Sequence, residues 1–177
     1  MTSGLISNPI LEAIAARRSV RKFSDEAVRR EEVLTILEAG RMAPSGRNLQ
    51  PCRFFPIFRG EPAQEALAQL TSYTKIVRTG QVLVAVCLDR EAQFDPIKDC
   101  QSAGAAMQNM LLAAHSLGLG GLWIGQILGQ EPAVLQVLQL PAERYQLMAL
   151  LVFGRPAPDL GERAPRQPLS TFLLKSI

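Results

Sequence analysis

The apolar run QVLVAVCLD, residues 81–89, places the strongest constraint on how this chain can fold. It is continuous and rich in valine, which is typical of a strand buried in the interior of a protein. The run YQLMALLVFG, at 145–154, has the same character and predicts another buried strand. A third strand is predicted at 52–59, where Pro56 favours an edge or a bulge because proline cannot donate to a ladder.

Helical patterns fill the intervals between these strands. Asn8 and Pro9 supply an N-cap and a first-turn proline for a short amphipathic helix over 9–18. Periodic apolar residues predict four more helices, at 31–43, 62–70, 99–119 and 131–140. The segment GGLWIGQ is expected to form a turn or a short strand, and the proline-rich tail 155–177 an extended arm.

Length and composition predict a single globular domain over residues 1–177. The net charge of +3, from 19 basic and 16 acidic residues, is too small to indicate nucleic acid, and the aromatic residues are few. Three separated cysteines fit a reducing compartment with free thiols. We find no signal peptide and no apolar run of the ~18 residues that a membrane span needs, so we expect a cytoplasmic protein that binds neither nucleic acid nor membrane.

The sequence offers few groups for acid–base or nucleophilic catalysis. Its single histidine, His115, lies in an alanine- and leucine-rich helix, where a packed or helix-end role is the simpler interpretation. Neither HExxH nor CxxC occurs, and the glycine-rich stretch before Trp123 fails the GxGxxG pattern. Ser72 and Lys75 spell SxxK without its partner motifs. If the chain is an enzyme, we expect a bound cofactor to carry the chemistry.

A cluster of cations in ARRSVRKFS, residues 16–24, is the clearest candidate for ligand binding. One interpretation is structural, with Arg17 and Arg18 complementing a helix C-terminus and the other cations in solvent. The alternative is an anion site, because arginine forks bind phosphate oxygens bidentately and Ser19 adds a neutral donor. The polar loop APSGRNLQP, at 43–51, and Arg166 in the tail favour the anion site, since such loops often line binding sites.

Four segments resemble the FMN-dependent nitroreductase family in their order and spacing: RRSVRKF, APSGRNLQP, AAMQNMLLAAHSLGLGGLWIG and RQPL. The resemblance covers about residues 10–174, and the chain length is that of the compact branch of the family. It implies an α+β fold with a central, mostly antiparallel sheet flanked by helices. It also implies a homodimer with two FMN sites at the subunit interface, in which the extended arm 155–177 is exchanged.

The resemblance further implies which residues hold the flavin. The phosphate and ribityl chain would be held by the cation segment: Arg17, Arg18, Ser19 and Arg21. The polar loop would reach the flavin of the partner subunit: Pro44, Ser45, Gly46 and Asn48. A later segment would lie along the isoalloxazine ring: Trp123, Ile124 and Gly125. Arg166 would close on the phosphate, so the anion of the cation cluster is expected to be the FMN phosphate.

The activity implied by the resemblance is electron transfer from NADH or NADPH, through bound FMN, to nitroaromatic, quinone or related small acceptors in a ping-pong cycle. No residue is assigned a catalytic role and no metal is expected, because the flavin carries the chemistry. Within the family, a narrow-specificity reductase or a flavin-processing enzyme stays open. A flavin-binding protein with little turnover is the alternative from another class.

Cys52 departs from the family pattern, in which the polar loop often ends in Gln-Pro-Trp. It is either a small core residue or a thiol beside the pocket. The short connection between strand 81–89 and the long helix also argues against a large substrate lid.

Overall fold

The computed structural model describes residues 6–175 and builds them around one sheet with helices on both faces. Predictions that fall on residues 1–5 and 176–177 lie outside the described residues. The strands are Cys52–Phe58 (β1), Val82–Asp89 (β2), Gly120–Ile124 (β3) and Tyr145–Gly154 (β4). The α-helices are Pro9–Ala16 (α1), Arg30–Arg41 (α2), Pro62–Gln69 (α3), Thr74–Thr79 (α4), Pro96–Ser116 (α5) and Glu131–Val137 (α6).

The sheet has the strand order β1-β2-β4-β3, and each neighbouring pair is antiparallel. β2 and β4 are the two inner strands, which explains why their sequences are apolar throughout. β1 lies at one edge of the described sheet, as Pro56 predicted, and β3 lies at the other. The antiparallel α+β fold inferred from the sequence is therefore confirmed.

Both faces of the sheet are covered, and the alternation along β2 shows this directly. Leu83, Ala85 and Cys87 point into one apolar core, which α3, α4 and α6 complete. Val82, Val84, Val86 and Leu88 point into the other, which α2 and α5 complete. A strand buried on both faces needs apolar residues at every position, because its side chains alternate between the two layers.

The start of α5 differs from the predicted one because a cap outweighs apolar periodicity, and α1, α2 and α6 end two or three residues earlier than predicted. α5 begins at Pro96 rather than 99, because the Asp95 side chain accepts hydrogen bonds from the amides of Ile97 and Lys98. It ends at Ser116, shortly before Gly118 with its φ of +74°. α4 was not predicted at all. No helix within residues 6–175 is long and apolar enough to cross a membrane.

The tail is extended, as predicted, but its first part docks on its own chain. Pro156 forms an isolated antiparallel bridge with Phe23, and the amide of Ala157 donates to the carbonyl of Lys22 at 3.0 Å. Backbone hydrogen bonds hold this part, so it needs few apolar side chains. The side chains from 161 to 175 are exposed. Exchange of the arm between subunits stays a prediction, and it now concerns this later part.

Candidate functional site

The cation segment leaves α1 at Arg17, whose φ of −55° and ψ of 135° end the helix and start an extended run. That run lies along β3: the amide of Val20 donates to the carbonyl of Gly121 at 3.0 Å, and Ser19 forms a parallel bridge with the same glycine. The approach is close, because a Cβ on Gly120 would lie 2.7 Å from the Cβ of Val20. Glycine at 120 therefore allows the cation segment to run beside the edge strand.

The cations of this segment have different partners. Arg18 and Lys22 contact residues 159–162 of the arm. The Arg18 guanidinium donates to the carbonyls of Gly161, Leu160 and Glu162 at 2.9, 3.0 and 3.1 Å. Lys22 forms an exposed ion pair of 3.5 Å with Asp159.

Arg17 differs, because its charged neighbours are two arginines of the arm. Burial and the neighbouring charges of Arg166 and Arg163 lower the pKa of Arg17. Arg163 also donates to the carbonyl of Ala15, in the last turn of α1. We call Arg17, Arg163 and Arg166 the arginine trio. Among residues 6–175, no carboxylate forms an ion pair with any of the three.

A like-charged trio without a counter-ion is a site at which a bound anion would relieve repulsion. A cavity of about 230 Å³ lies next to it, lined in part by Arg17, Arg18 and His115. Arg21 is exposed and follows Ser19 by two residues in the same segment.

The polar loop 43–51 is held in an uncommon backbone conformation. Arg47, Asn48 and Gln50 have φ values of 52°, 57° and 51°, in the left-handed region that non-glycine residues rarely occupy. Ser45 Oγ accepts a hydrogen bond from the amide of Gln50 at 2.9 Å. Such strain persists only where the surroundings impose it, and it concentrates at functional sites.

Phe94 packs against this loop. Its ring lies under the Arg47 guanidinium, at 4.9 Å from the ring centroid, and against Gly46, where an added Cβ would lie 2.4 Å from Cε1. Lys98 approaches the same ring at 5.1 Å. Phe94 comes from the short connection between β2 and α5, and no motif in the sequence marked it as part of a site.

The segment Trp123–Gly125 forms the end of edge strand β3. The Trp123 side chain is 40% exposed, although large aromatic residues usually bury most of their surface. Ile124 is the opposite case: its side chain is buried in the core with α6, so only its backbone can face a ligand. The cation segment and Trp123 thus belong to one edge of the sheet.

The polar loop does not join them within one chain. It leads into β1, and β1 and β3 lie at opposite edges of the described sheet. Three strand intervals separate the two edges, or roughly 14 Å. The residues that the resemblance groups at one flavin therefore fall into two sets: the cation segment with the end of β3, and the loop residues Pro44, Ser45, Gly46 and Asn48.

Cys52 combines features of both interpretations given above. It is half-buried, and it lines a cavity of about 120 Å³ together with Pro44 and Ser45. Burial raises the pKa of its thiol to about 11, so the thiol stays protonated and unreactive near neutral pH. Sequence reasoning also missed Arg163, although its position three residues before Arg166 was a usable signal.

The chain is similar to proteins of one family. A profile of the Nitroreductase family matches residues 14–155. An oxygen-insensitive NADPH nitroreductase of Salmonella typhimurium is 32% identical over 174 residues, covering 90% of this chain and 72% of that protein. A crystal structure described as a nitroreductase in complex with FMN, from Desulfovibrio desulfuricans, superimposes with a TM-score of 0.93 at 47% identity, covering 97% of this chain and 99% of that one. The NADPH:FMN oxidoreductase of Vibrio harveyi, complexed with NAD⁺, superimposes with a TM-score of 0.86 at 27% identity, covering 96% and 78%.

Proposed function

The chain belongs to the nitroreductase family, and we propose that it is an FMN-dependent oxidoreductase that passes electrons from NADH or NADPH to a nitroaromatic, quinone or related small acceptor. The observation that carries the proposal is the arginine trio, which has no counter-ion among the described residues. A terminal phosphate dianion is the group that such a trio fits, since guanidinium forks bind its oxygens bidentately.

The chain's residues fit FMN better than a dinucleotide. The cations gather at one place, which suits one terminal phosphate, and no glycine-rich dinucleotide loop is present in the sequence. Arg17, Ser19, Arg21 and Arg166 would hold the phosphate and the ribityl chain. Arg163 joins this set because it stands beside Arg17. Arg18 would contribute to phosphate binding indirectly, through its hydrogen bonds to residues 160–162 of the arm.

The flavin would lie along the end of β3, where Trp123 is exposed and where Ile124 and Gly125 would offer backbone groups only. Bound FMN supplies the acceptance and release of a hydride, which needs access and stacking more than a protein acid. The contribution of the chain is to bind, orient and exclude water. Donor and acceptor would use the same face of the site in turn, which gives a ping-pong cycle.

We further propose that two copies of the chain share each flavin. The loop 43–51 lies at the sheet edge opposite the arginine trio, so its residues Pro44, Ser45, Gly46 and Asn48 would complete the site of the partner. Exposed apolar residues support association. α1 buries no residue within the described chain, and Phe172 and Leu174 of the arm are 67% and 106% exposed. Apolar surface of this kind marks protein–protein contact.

Flavin binding and turnover can be tested separately. The purified protein should be yellow, or become so with FMN, and FMN should bind much more tightly than FAD. A ligand specific to the folded state must also raise the melting temperature. A colourless protein that gains no thermal stability in excess FMN would contradict the proposal. NADH and NADPH oxidation should then be measured with nitroaromatic, quinone and free-flavin acceptors, and FMN binding without turnover would leave a flavin-binding protein.

A further inference from the structure

We propose that Arg18 is a positioning residue, which fixes the arm so that Arg163 and Arg166 stand beside Arg17, and that it does not itself contact the anion. The inference rests on the proposed function in one respect, namely that the anion is the phosphate of FMN. It assigns to Arg18 a role different from that of its neighbours in the cation segment.

The contacts of Arg18 carry this assignment. One guanidinium donates to the carbonyls of three consecutive residues, Leu160, Gly161 and Glu162, at 2.9 to 3.1 Å. Successive carbonyls of an extended chain alternate in direction, so three of them reach one group only where the backbone departs from the extended form. Gly161 turns the chain here with a φ of +65°, and Asp159 Oδ1 accepts a hydrogen bond from the amide of Gly161 at 3.0 Å. The turn is therefore shaped to present its carbonyls to a planar fork of donors.

The arm has little else to hold it at this point. All side chains from 161 to 175 are exposed, so burial contributes little. The ion pair of Lys22 with Asp159 is exposed on both sides, and such pairs add little stability. Arg163 follows Gly161 by two residues, and its side chain donates a hydrogen bond to the carbonyl of Ala15. A turn held by Arg18 thus fixes the start of the stretch that carries both cations of the arm.

The hydrogen bonds of Arg18 explain why it cannot do both tasks. Its guanidinium already has three acceptors, and a phosphate contact would require it to release them. Loss of Arg18 should therefore weaken anion binding indirectly, by letting Arg163 and Arg166 move away from Arg17.

The first test compares FMN affinities of full-length variants by flavin fluorescence titration. Arg18→Gln is expected to raise the dissociation constant about tenfold or more, while the matched control Lys22→Gln, which removes a charge from the same segment, changes it by less than about twofold. Arg18→Lys keeps the charge but cannot reach three carbonyls, so it should be nearly as weak as Arg18→Gln. Full rescue by lysine, or equal effects of the Arg18 and Lys22 variants, would overturn the inference.

A second comparison separates positioning from direct contact. The same substitution is then made in a variant in which Arg163 and Arg166 are both replaced by alanine. There, Arg18→Gln should raise the FMN dissociation constant by less than about twofold, because the groups that Arg18 positions are already gone. A direct phosphate ligand would keep its full effect in that background, which would refute the positioning role.

A third readout does not depend on flavin. Trypsin cuts after Arg163 and Arg166, whereas Arg155 resists it because a proline follows. In FMN-free protein, Arg18→Gln should speed cleavage of the arm several-fold over wild type, and Lys22→Gln should not. Equal cleavage rates in wild type and Arg18→Gln would show that Arg18 does not hold the arm. If the wild-type protein does not bind FMN at all, the proposed function is refuted, and so is the claim that Arg18 positions the arm for a bound anion. The proteolysis result would still decide whether Arg18 holds the arm.

Discussion

Replacing Arg17 with alanine should affect the flavin-free and flavin-bound protein in opposite directions. In the free protein, Arg17 is half-buried and its pKa is lowered by burial and by the charges of Arg166 and Arg163. Removing it relieves repulsion, so the melting temperature of the FMN-free protein should stay the same or rise. In the complex, a charge-assisted contact to phosphate is lost, which is worth roughly 1.5–3 kcal/mol. At 1.36 kcal/mol per factor of ten, the FMN dissociation constant should rise by about 13- to 160-fold.

The matched control is Lys22→Ala, which removes one cation from the same segment but breaks only an exposed ion pair with Asp159. It should change FMN affinity by less than about twofold. The FMN dissociation constants of the two variants are measured by fluorescence titration at low and at moderate salt. The contribution of Arg17 to FMN affinity should decrease at the higher salt concentration, because salt screens the charge. Equal dissociation constants for the two variants would show that the cluster is a solvated surface and would refute the reasoning.

Three further outcomes are expected. Deleting residues 156–177 should lower both dimer stability and FMN occupancy in analytical ultracentrifugation with flavin absorbance, since a shared ligand links the two equilibria; a truncated monomer at full occupancy would exclude the shared site. Gly46→Ala should displace the Phe94 ring, whose Cε1 would lie 2.4 Å from the new Cβ, and weaken FMN binding several-fold with an overpacking cost of about 1–3 kcal/mol in unfolding; unchanged affinity would argue that the loop does not touch the flavin. Burial opposes ionisation of Glu32, but hydrogen bonds from Arg29 and Arg155 prevail and hold its pKa at about 2, so the carboxylate stabilises the fold above the unfolded value near 4.5 and loses this effect as pH falls toward 2. Urea unfolding should therefore show wild type about 3 kcal/mol more stable than Glu32→Gln at pH 7, with a gap that narrows below pH 4.5; a gap that does not change with pH would refute the assignment.

The two inner strands were predictable because burial on both faces requires an apolar residue at nearly every position. β4 has the predicted bounds, 145–154, and β2 differs from its prediction by one residue. α4 was not predicted because the segment between α3 and β2 has little apolar periodicity, and one of its residues, Val77, is buried by tertiary packing. Asp95 and Pro96 together form a cap signal, but the apolar pattern of α5 becomes regular only after them.

The candidate site, too, could be predicted from the sequence only in part. The cation segment was recognisable from its composition, and the anion site proposed there stays a prediction. The different contacts of Arg17 and Arg18 depend on where residues 160–166 of the arm lie, and no local pattern in RRSVRKF fixes that place. Arg163 reaches the site through a turn at Gly161, so its place depends on contacts with residues more than 140 positions away in the chain.

The distance along the chain between the members of the arginine trio has a consequence for synthesis. Arg17 leaves the ribosome early, while Arg163 and Arg166 emerge only after all four strands have been made. The sheet and its two cores can therefore form on the nascent chain before the trio exists. An anion that needs all three arginines cannot be retained by an incomplete chain, so cofactor capture would follow the folding of the sheet and would mark chains translated past residue 166.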